Sequence, residues 1–504
     1  MPSRIKDILL FVSAVLICQL LFLLLHHPFS LPPPLPPPPP PPTTAVSLSH
    51  SDLAFSIASS SSSLANRIPY IQLWFSPNST PNAYLFLDQN PTRFKSSLPI
   101  PRIFLSSDTS RFPFTFPRGN RAAVRIAYTV KDVFALANPP PNIKWFVFCD
   151  DDTVLFTRNL VRVLSKYDHN KWYYIGSNSE SYEQNQKFSF DMAFGGGGFA
   201  LSAPLAKVLA GKLDSCLFRY PHLYGSDQRI FACLTELGVQ MTREPGFHQI
   251  DVRGDVFGML VAHPLSPLLS LHHMDAVEPI FPGMRRIQAL GHLFKAANAD
   301  PTRMLQQTVC YDLFNSLTVS ISWGYAIQLF EGNRNIPDLL ALERTFKPWG
   351  RGQSVYSSRF MFNTRDLPRN RCSRPVIFFF DSISSYSNLY LTNYIKKDSG
   401  NCFRKTAVEK VASIRVFSKK FDFEIEQIET PRRQCCDIRS PISTNMTIDI
   451  RQCKSDIHVT FHEDGGIEKS HESEYSVCCT RILGLSLKVT FFPIASSQRR
   501  MMLK

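Results

Sequence analysis

The feature that most limits what this chain can fold into is an apolar segment that runs directly into three aspartates, Asp150, Asp151 and Asp152. The segment Ile143 to Cys149 predicts a strand buried on both faces, as strands of parallel sheets are. Carboxylates crowded at the end of such a strand repel one another strongly unless a cation lies among them. Oxygen ligands suit Mn²⁺ or Mg²⁺, so the pattern indicates a divalent-metal site. The alternative is an acidic turn that caps a helix beginning near Arg158.

The surrounding sequence, from about residue 51 to 300, alternates strand and helix patterns. Short apolar runs predict strands at Leu53 to Ala58 and Ala83 to Leu87, and helical spacing occurs near Arg67 to Phe75 and over Arg121 to Ala135. This alternation predicts an α/β domain with a mixed, mostly parallel sheet. Ligands of such sheets bind beyond the carboxyl ends of the strands, where the three aspartates lie.

Three later motifs supply further parts of a possible site. The run Gly195 to Gly198 lets the main chain approach a ligand without Cβ interference, although flexible loops share this composition. Asp227 falls in the first turn of a helix predicted to reach Gly238, where it serves either as a general base or as a partner of the helix dipole. His272 and His273 follow an apolar segment. If that segment is extended, their side chains face opposite ways and at most one reaches the cation easily; a structural histidine pair is the alternative.

The N-terminus predicts a membrane anchor. Ile8 to Leu25 is an 18-residue run without charge, and a helix of that length spans about 27 Å, which suffices to cross a bilayer. Arg4 and Lys6 precede it, and positive charge stays cytoplasmic, so residues 1–7 are predicted to be a cytoplasmic tail and the remainder lumenal. A cleaved secretory leader is the alternative, and it gives the same lumenal body without the tether.

A proline-rich stem is predicted at residues 26–50. Pro32 to Pro42 contains ten prolines, which extend as polyproline II over about 34 Å. The formal charge of +14 favours anionic partners, but lysine and arginine are scattered without a dense basic block. We therefore expect no nucleic-acid partner.

Cysteine usage agrees with a lumenal location. Eleven of the twelve cysteines lie at or beyond Cys149, and seven lie from Cys372 onward, which predicts disulfides in an oxidising compartment. Cys149 lies in an apolar strand pattern and is the expected unpaired cysteine. The ten expected to form bridges are Cys216, Cys233, Cys310, Cys372, Cys402, Cys435, Cys436, Cys453, Cys478 and Cys479, with connectivity left open. Sequons predict glycosylation at Asn78 and Asn445.

Residues 301–504 differ in character from the α/β region. Leu317 to Phe330 alternates loosely, Val376 to Phe380 is an apolar strand pattern, and most of the cysteines cluster here. These features predict a β-rich, disulfide-containing module packed on the preceding domain. We expect it to stabilise the domain or to bind an acceptor.

Five motifs occur in a fixed order: KWFVFCDDDTVLF, then YYIGS at Tyr173 to Ser177, DMAFGGGGFALS at Asp191 to Ser202, LYGSDQRIFACLTELGV at Leu223 to Val239, and SLHHMD at Ser270 to Asp275. Together they resemble the Fringe-type β1,3-glycosyltransferases of glycosyltransferase family 31, and most closely the plant Fringe-related group of undefined specificity. The resemblance covers about residues 50 to 300. It implies a GT-A fold, a UDP-sugar donor, Mn²⁺ dependence, inversion at the anomeric carbon, a glycan or glycoprotein acceptor and a type II Golgi membrane location.

The resemblance also implies roles for individual residues. Asp152 matches the direct metal ligand, Asp150 and Asp151 match positions that orient the donor, and Asp227 matches the catalytic base. The glycine-rich strand end of the family, which binds the donor, matches Gly196, Gly197 and Gly198. The late metal-binding histidine matches His272, with His273 as the alternative. The expected activity is transfer of a sugar to an acceptor hydroxyl, and the alternative is a catalytically inactive lumenal glycan-binding or scaffold protein.

Overall fold

The computed structural model describes residues 48–90, 98–350, 352, 358–397, 407–421, 429–439, 444–453, 459–461 and 467–469, together with residues 16, 17 and 19. Most of the predicted anchor and stem, and the cysteines Cys402, Cys478 and Cys479, lie outside these described residues. Within the part of the chain described, no helix is both long enough and apolar enough to cross a membrane. The chain separates into two units, Met1–Val46 and Ser47–Lys504, and the second carries the fold described below.

Between residues 48 and 300 the described chain alternates strands and helices. The strands are β1 (Leu53–Ala58), β2 (Ala83–Leu87), β3 (Arg102–Leu105), β4 (Trp145–Asp150), β5 (Val154–Leu155), β6 (Tyr174–Gly176), β7 (Phe199–Ser202), β8 (Met241–Arg243), β9 (Val252–Gly254) and β10 (Ser270–Leu271). The helices are α1 (Leu64–Ile71), α2 (Ala122–Asp132), α3 (Thr157–Leu164), α4 (Tyr182–Lys187), α5 (Ala203–Arg219), α6 (Ser226–Glu236), α7 (Phe257–Leu260) and α8 (Arg286–Ala299).

Seven of these strands form one sheet in the order β3-β2-β1-β4-β7-β6-β8. Only β7 runs antiparallel to its neighbours, β4 and β6, and the other pairs are parallel. The predicted mixed, mostly parallel sheet is therefore confirmed. Strand β4 lies at the centre of the sheet, and its residues Trp145 to Cys149 are buried. This central position places the end of β4, and with it the three aspartates, at the carboxyl edge of the sheet.

Helices α2, α5 and α6 cover one face of the sheet. Phe146, Phe148 and Leu201 from the sheet share a core with Leu209 of α5 and Ile230 of α6. A disulfide between Cys216 and Cys233 joins α5 to α6. Since α6 carries Asp227 in its first turn, this packing fixes the position of the predicted base relative to the sheet.

A helix follows β1 as predicted, but its bounds differ from the expected Arg67 to Phe75. Helix α1 begins at Leu64 and ends at Ile71. The chain enters the helix through a serine turn in which the backbone N–H of Leu64 donates to the carbonyl of Ser60. Leu64, Ile68 and Ile71 already present a buried stripe, so packing starts the helix one turn before the predicted point.

Beyond residue 300 the described chain is mainly β-structure. It comprises β11 (Gln307–Asp312), β12 (Leu317–Ser322), β13 (Ala326–Glu331), α9 (Ile336–Leu340), β14 (Leu342–Glu343), β15 (Phe346–Pro348), β16 (Thr364–Arg365), β17 (Val376–Tyr386), β18 (Leu389–Lys396), β19 (Ser413–Lys419), β20 (Cys435–Ile438), β21 (Asn445–Arg451), β22 (Val459–Phe461) and β23 (Ile467–Lys469). Eight of them form a sheet in the order β11-β12-β13-β17-β18-β19-β21-β20. The predicted β-rich module is confirmed, and Leu317 to Phe330 forms the hairpin β12–β13 within it.

Disulfides hold this second sheet together. Cys310 on β11 pairs with Cys436 on β20, and Cys435 pairs with Cys453. Cys372 is also disulfide-bonded. Cys149 is unpaired and buried, as predicted. The expectation of a disulfide-containing module is therefore confirmed for the cysteines that the structure describes.

The two sheets pack as one unit. Tyr325 donates its hydroxyl to the carbonyl of Ile280 at 3.1 Å, and Ser322 donates to the carbonyl of Leu260 at 2.8 Å. Strand β15 pairs antiparallel with β9. This pairing carries the residue after β15, Trp349, to the edge of the α/β region where the aspartates lie.

Candidate functional site

A carboxylate–imidazole cluster forms where two very short strands meet. Strand β5 begins two residues after Asp152, and β10 ends immediately before His272. These strands pair antiparallel, with Val154 opposite Leu271. The pairing brings ligand atoms of Asp150, Asp152 and His272 within 4.8 Å of one another. His272 Nε2 lies 3.1 Å from Asp152 Oδ1 and 3.8 Å from Asp150 Oδ2.

His273 lies beside this cluster but faces away from it. The extended conformation ends at Leu271, and His273 adopts a positive φ of 54°. The centre of its ring lies 3.8 Å from that of His272, with the two rings tilted by 32°, and its Nδ1 lies 3.2 Å from Asp251 Oδ1. The two rings therefore lie side by side rather than on opposite sides of the chain, and of the two histidines His272 is the one that contacts Asp152.

The three aspartates occupy different environments. Asp151 accepts hydrogen bonds from the hydroxyls of Ser59, at 2.6 Å, and Ser63, at 3.1 Å, whereas Asp150 and Asp152 face His272. Burial raises the pKa of Asp150 to about 7, and the neighbouring carboxylates add to this effect. Burial opposes ionisation of Asp152 as well, but His272 and Arg67 together hold the pKa of Asp152 well below its usual value.

Arg67 supplies positive charge to the cluster. Its Nη1 lies 2.8 Å from Asp152 Oδ2 and 2.9 Å from Asp275 Oδ2, and its Nε lies 3.6 Å from Asp151 Oδ1. Sequence reasoning missed this residue because it lies more than eighty positions from the triplet in a helix of ordinary composition.

The donor set fits a divalent cation. Two carboxylates and one imidazole converge, and such a mixed oxygen and nitrogen set with positions left for substrate suits Mn²⁺ or Mg²⁺. Burial alone would lower the pKa of His272. The negative charges of Asp152 and Asp150 have the larger, opposite effect and raise this pKa to about 9. The two carboxylates thus favour the charged form of His272, and the positive charge of this form offsets theirs.

The glycine run connects the cluster to Asp227. The backbone N–H of Gly195 donates to Asp227 Oδ2 at 3.3 Å, and a Cβ at Gly196 would collide with the ring of His272. The N–H of Gly197 donates to Gln249 Oε1 at 2.6 Å, and its carbonyl accepts a hydrogen bond from Ser270. Gly198 has a φ of +87°, which other residues rarely adopt. The predicted glycine motif therefore packs directly against both the carboxylate–imidazole cluster and the predicted base.

Asp227 lies in the first turn of α6, as predicted. Its Oδ1 accepts a hydrogen bond of 2.9 Å from the backbone N–H of Gln228. Burial raises its pKa, although the N–H groups of Gly195 and Gln228 partly offset this effect. Asp227 and Asp150 line a common cavity. A carboxylate with a raised pKa next to a cavity matches what a general base requires.

Three further residues near the cluster were missed from sequence. Trp349, in the β-rich part, stacks on His273 at 4.4 Å with an angle of 14° between the rings. Arg253 covers Trp349 at 4.3 Å and donates from Nε to its carbonyl at 2.9 Å. Gln249, which holds Gly197, follows no recognisable motif. Long-range pairing places these side chains, so no local pattern marks them.

Comparisons with known proteins find two family models that match the chain. A family model described as Fringe-like matches residues 48–277, and a model described as protein of unknown function, DUF604, matches residues 184–436. No curated protein matches the chain. Among solved structures, the chain is similar to a crystal structure of the galactosyltransferase LgtC in complex with donor and acceptor sugar analogues. Identity is 12%, the match covers 47% of this chain and 95% of LgtC, and the TM-score of 0.28 is too low to support an argument.

Proposed function

Because this chain belongs to the DUF604 family and is Fringe-related over residues 48–277, we propose that it is a metal-dependent glycosyltransferase that moves a sugar from a UDP-sugar to an acceptor hydroxyl. The Fringe-like match confirms the resemblance found in the five motifs. We propose that the reaction inverts the anomeric carbon and forms a β1,3 linkage, because the Fringe-type enzymes that the chain resembles do both.

The observation that carries the proposal is the position of the glycine run between the proposed metal ligands and the proposed base. Gly196 packs on His272, and the N–H of Gly195 donates to Asp227. Asp150, Asp152 and His272 would hold Mn²⁺, or Mg²⁺, which when bound supplies charge stabilisation to the departing diphosphate. Asp227 removes the proton of the acceptor hydroxyl while that oxygen bonds to the anomeric carbon. The bond from this carbon to the diphosphate oxygen breaks, and UDP leaves with the electron pair.

The serine turn after β1 is the proposed donor side of the site. Ser59 and Ser63 bind Asp151, and Arg67 lies between Asp151 and Asp152. A guanidinium at this position suits a diphosphate, because its fork of N–H donors matches phosphate oxygens. Asp151 therefore orients the serine turn and Arg67 rather than holding the cation.

The compartment proposed is the Golgi lumen, with the body tethered by an uncleaved anchor at residues 8–25. The disulfides of the described cysteines support an oxidising compartment. Asn78 and Asn445, the two sequon asparagines, are exposed and therefore accessible for glycosylation.

The test compares the full-length wild type, solubilised in detergent, with Asp227→Asn. UDP release from a panel of UDP-sugars is measured with Mn²⁺ and glycan acceptors. We expect loss of the base to lower acceptor-dependent release by about 10²-fold or more, while binding of UDP with Mn²⁺ persists. Asp366→Asn, which changes a carboxylate that is 68% exposed on the β-rich part, is the matched control and should behave as the wild type.

Equal turnover by the wild type and Asp227→Asn would contradict the proposed base. A wild type that binds glycans yet neither binds UDP with Mn²⁺ nor turns over any UDP-sugar would support the inactive glycan-binding alternative.

A further inference from the structure

An aromatic rim lies beside Asp227 and has no role in the mechanism above. It consists of Phe116, Phe188, Phe190 and Tyr224. Tyr224 is 43% exposed and Phe190 is 38% exposed, and both values are high for large aromatic side chains. Clusters of exposed apolar side chains on a folded protein commonly mark binding surfaces.

Three of the four rings of the rim hold one another in place. Phe188 stacks on Tyr224 at 5.7 Å with an angle of 17° between the rings, and Phe116 meets Tyr224 edge-on at 5.1 Å. The ammonium group of Lys187 lies 4.9 Å from the centre of the Phe188 ring and 5.6 Å from that of Tyr224. Phe190 is held by the ring of Tyr182, which lies on the helix just before Phe188. Each ring of the rim is thus ordered by an aromatic neighbour.

The rim is connected to the base through two routes. Gln228 Oε1 accepts hydrogen bonds from the backbone N–H groups of Tyr224 and Gly225, at 3.0 and 3.2 Å, which fixes Tyr224 to the helix that carries Asp227. On the other side, Phe188 contacts Phe194 at 6.2 Å, and Phe194 precedes Gly195, whose N–H donates to Asp227.

The glycine run also contacts two chemically different groups. Gly196 packs on His272, which faces the anionic cluster and Arg67, whereas Gly195 packs on Asp227. The charged cluster suits the diphosphate donor. A base that takes a proton from the acceptor must contact it, so the acceptor has to lie next to Asp227, to whose helix Tyr224 of the rim is fixed.

We propose that the aromatic rim is the acceptor subsite and that it binds the C–H face of a neutral pyranose. This inference rests on the proposed function and specifies its acceptor: the terminal sugar of a glycan whose exposed ring stacks on Tyr224 and Phe190. Flat aromatic faces provide apolar contact area at low entropic cost and leave the sugar hydroxyls free to reach Asp227.

The test uses the full-length protein with UDP and Mn²⁺ present. Binding of the methyl β-glycosides of galactose, glucose, N-acetylglucosamine, fucose and rhamnose is measured by saturation-transfer NMR. We expect at least one glycoside to bind the wild type, with an affinity that falls tenfold or more in Tyr224→Ala and in Phe190→Ala. Tyr224→Phe, which keeps the ring, should bind within about twofold of the wild type. Phe314→Ala is the matched control, because Phe314 is 96% exposed in the turn between β11 and β12.

Affinity for UDP with Mn²⁺, measured by calorimetry, separates the two hypotheses. If the wild type binds UDP with Mn²⁺ but no glycoside, or if Tyr224→Ala binds glycosides as tightly as the wild type, the acceptor subsite is wrong and the proposed function stands. If the wild type does not bind UDP with Mn²⁺, the proposed function and this inference both fail.

Discussion

At the scale of single residues, each of the three adjacent aspartates is accommodated by a different means. Burial raises the pKa of Asp150 to about 7, and its side chain keeps 37% of its surface exposed. Asp151 is held by two serine hydroxyls, and Asp152 lies between Arg67 and His272. Three equivalent, fully buried carboxylates would be prohibitively repulsive in a medium of low dielectric constant. The unequal environments explain how three adjacent carboxylates are accommodated at the end of one buried strand.

A residue-scale prediction concerns Gly196. A Cβ at this position would collide with the ring of His272. Gly196→Ala should displace that imidazole and weaken Mn²⁺ binding tenfold or more, measured by the electron paramagnetic resonance of free Mn²⁺. Gly211→Ala is the control, because Gly211 lies in α5 with no atom near the added methyl group. Helix propensity should make it up to about 1 kcal/mol more stable, with unchanged Mn²⁺ affinity. Wild-type Mn²⁺ affinity in Gly196→Ala would show that His272 is not a ligand.

At the scale of elements, the strand ends were predictable and their pairing was not. The apolar run into Asp150 and the helix that begins at Asp227 each carry a local pattern, and both were predicted. The pairing of β5 with β10 joins residues more than one hundred positions apart through strands of two residues each. Such strands are too short for alternation to mark them. Arg67 and Trp349 reach the site only through pairing and packing of this kind, which is why sequence reasoning missed them.

An element-scale prediction concerns the disulfide between Cys310 and Cys436. It joins β11 and β20, the two edge strands of the eight-stranded sheet, across a sequence separation of 126 residues. In the chain-entropy model a loop of this length contributes about 5 kcal/mol, against about 3 kcal/mol for the 17-residue separation of Cys216 and Cys233. The double variant Cys310→Ser/Cys436→Ser should therefore lower the urea midpoint more than Cys216→Ser/Cys233→Ser. A larger drop in the urea midpoint for Cys216→Ser/Cys233→Ser would indicate that packing already holds the edge strands of the sheet together.

At the scale of the whole molecule, the region beyond residue 300 is part of the candidate site. The DUF604 match spans residues 184–436 and so includes the glycine run, Asp227, His272 and Trp349 in one family unit. Pairing of β15 with β9 brings Trp349 against His273, whose ring centre lies 3.8 Å from that of His272. The β-rich region therefore contacts the residue next to a candidate metal ligand.

The ring contacts from Trp349 through His273 to His272 lead to the last prediction. Removing Trp349 leaves His273 without its stacking partner and frees the neighbouring imidazole of His272, so Trp349→Ala should weaken Mn²⁺ binding about tenfold, at the low end of outer-shell effects. Trp349→Phe keeps an aromatic face and should restore most of the affinity. Trp172→Ala, at a tryptophan that is 46% exposed, is the matched control. The thermal unfolding midpoint, measured without metal, shows whether Trp349→Ala is still folded. An unchanged midpoint with weaker Mn²⁺ binding indicates that only the orientation of His272 is lost. Full Mn²⁺ affinity in a folded Trp349→Ala would confine the β-rich region to a role outside the metal site.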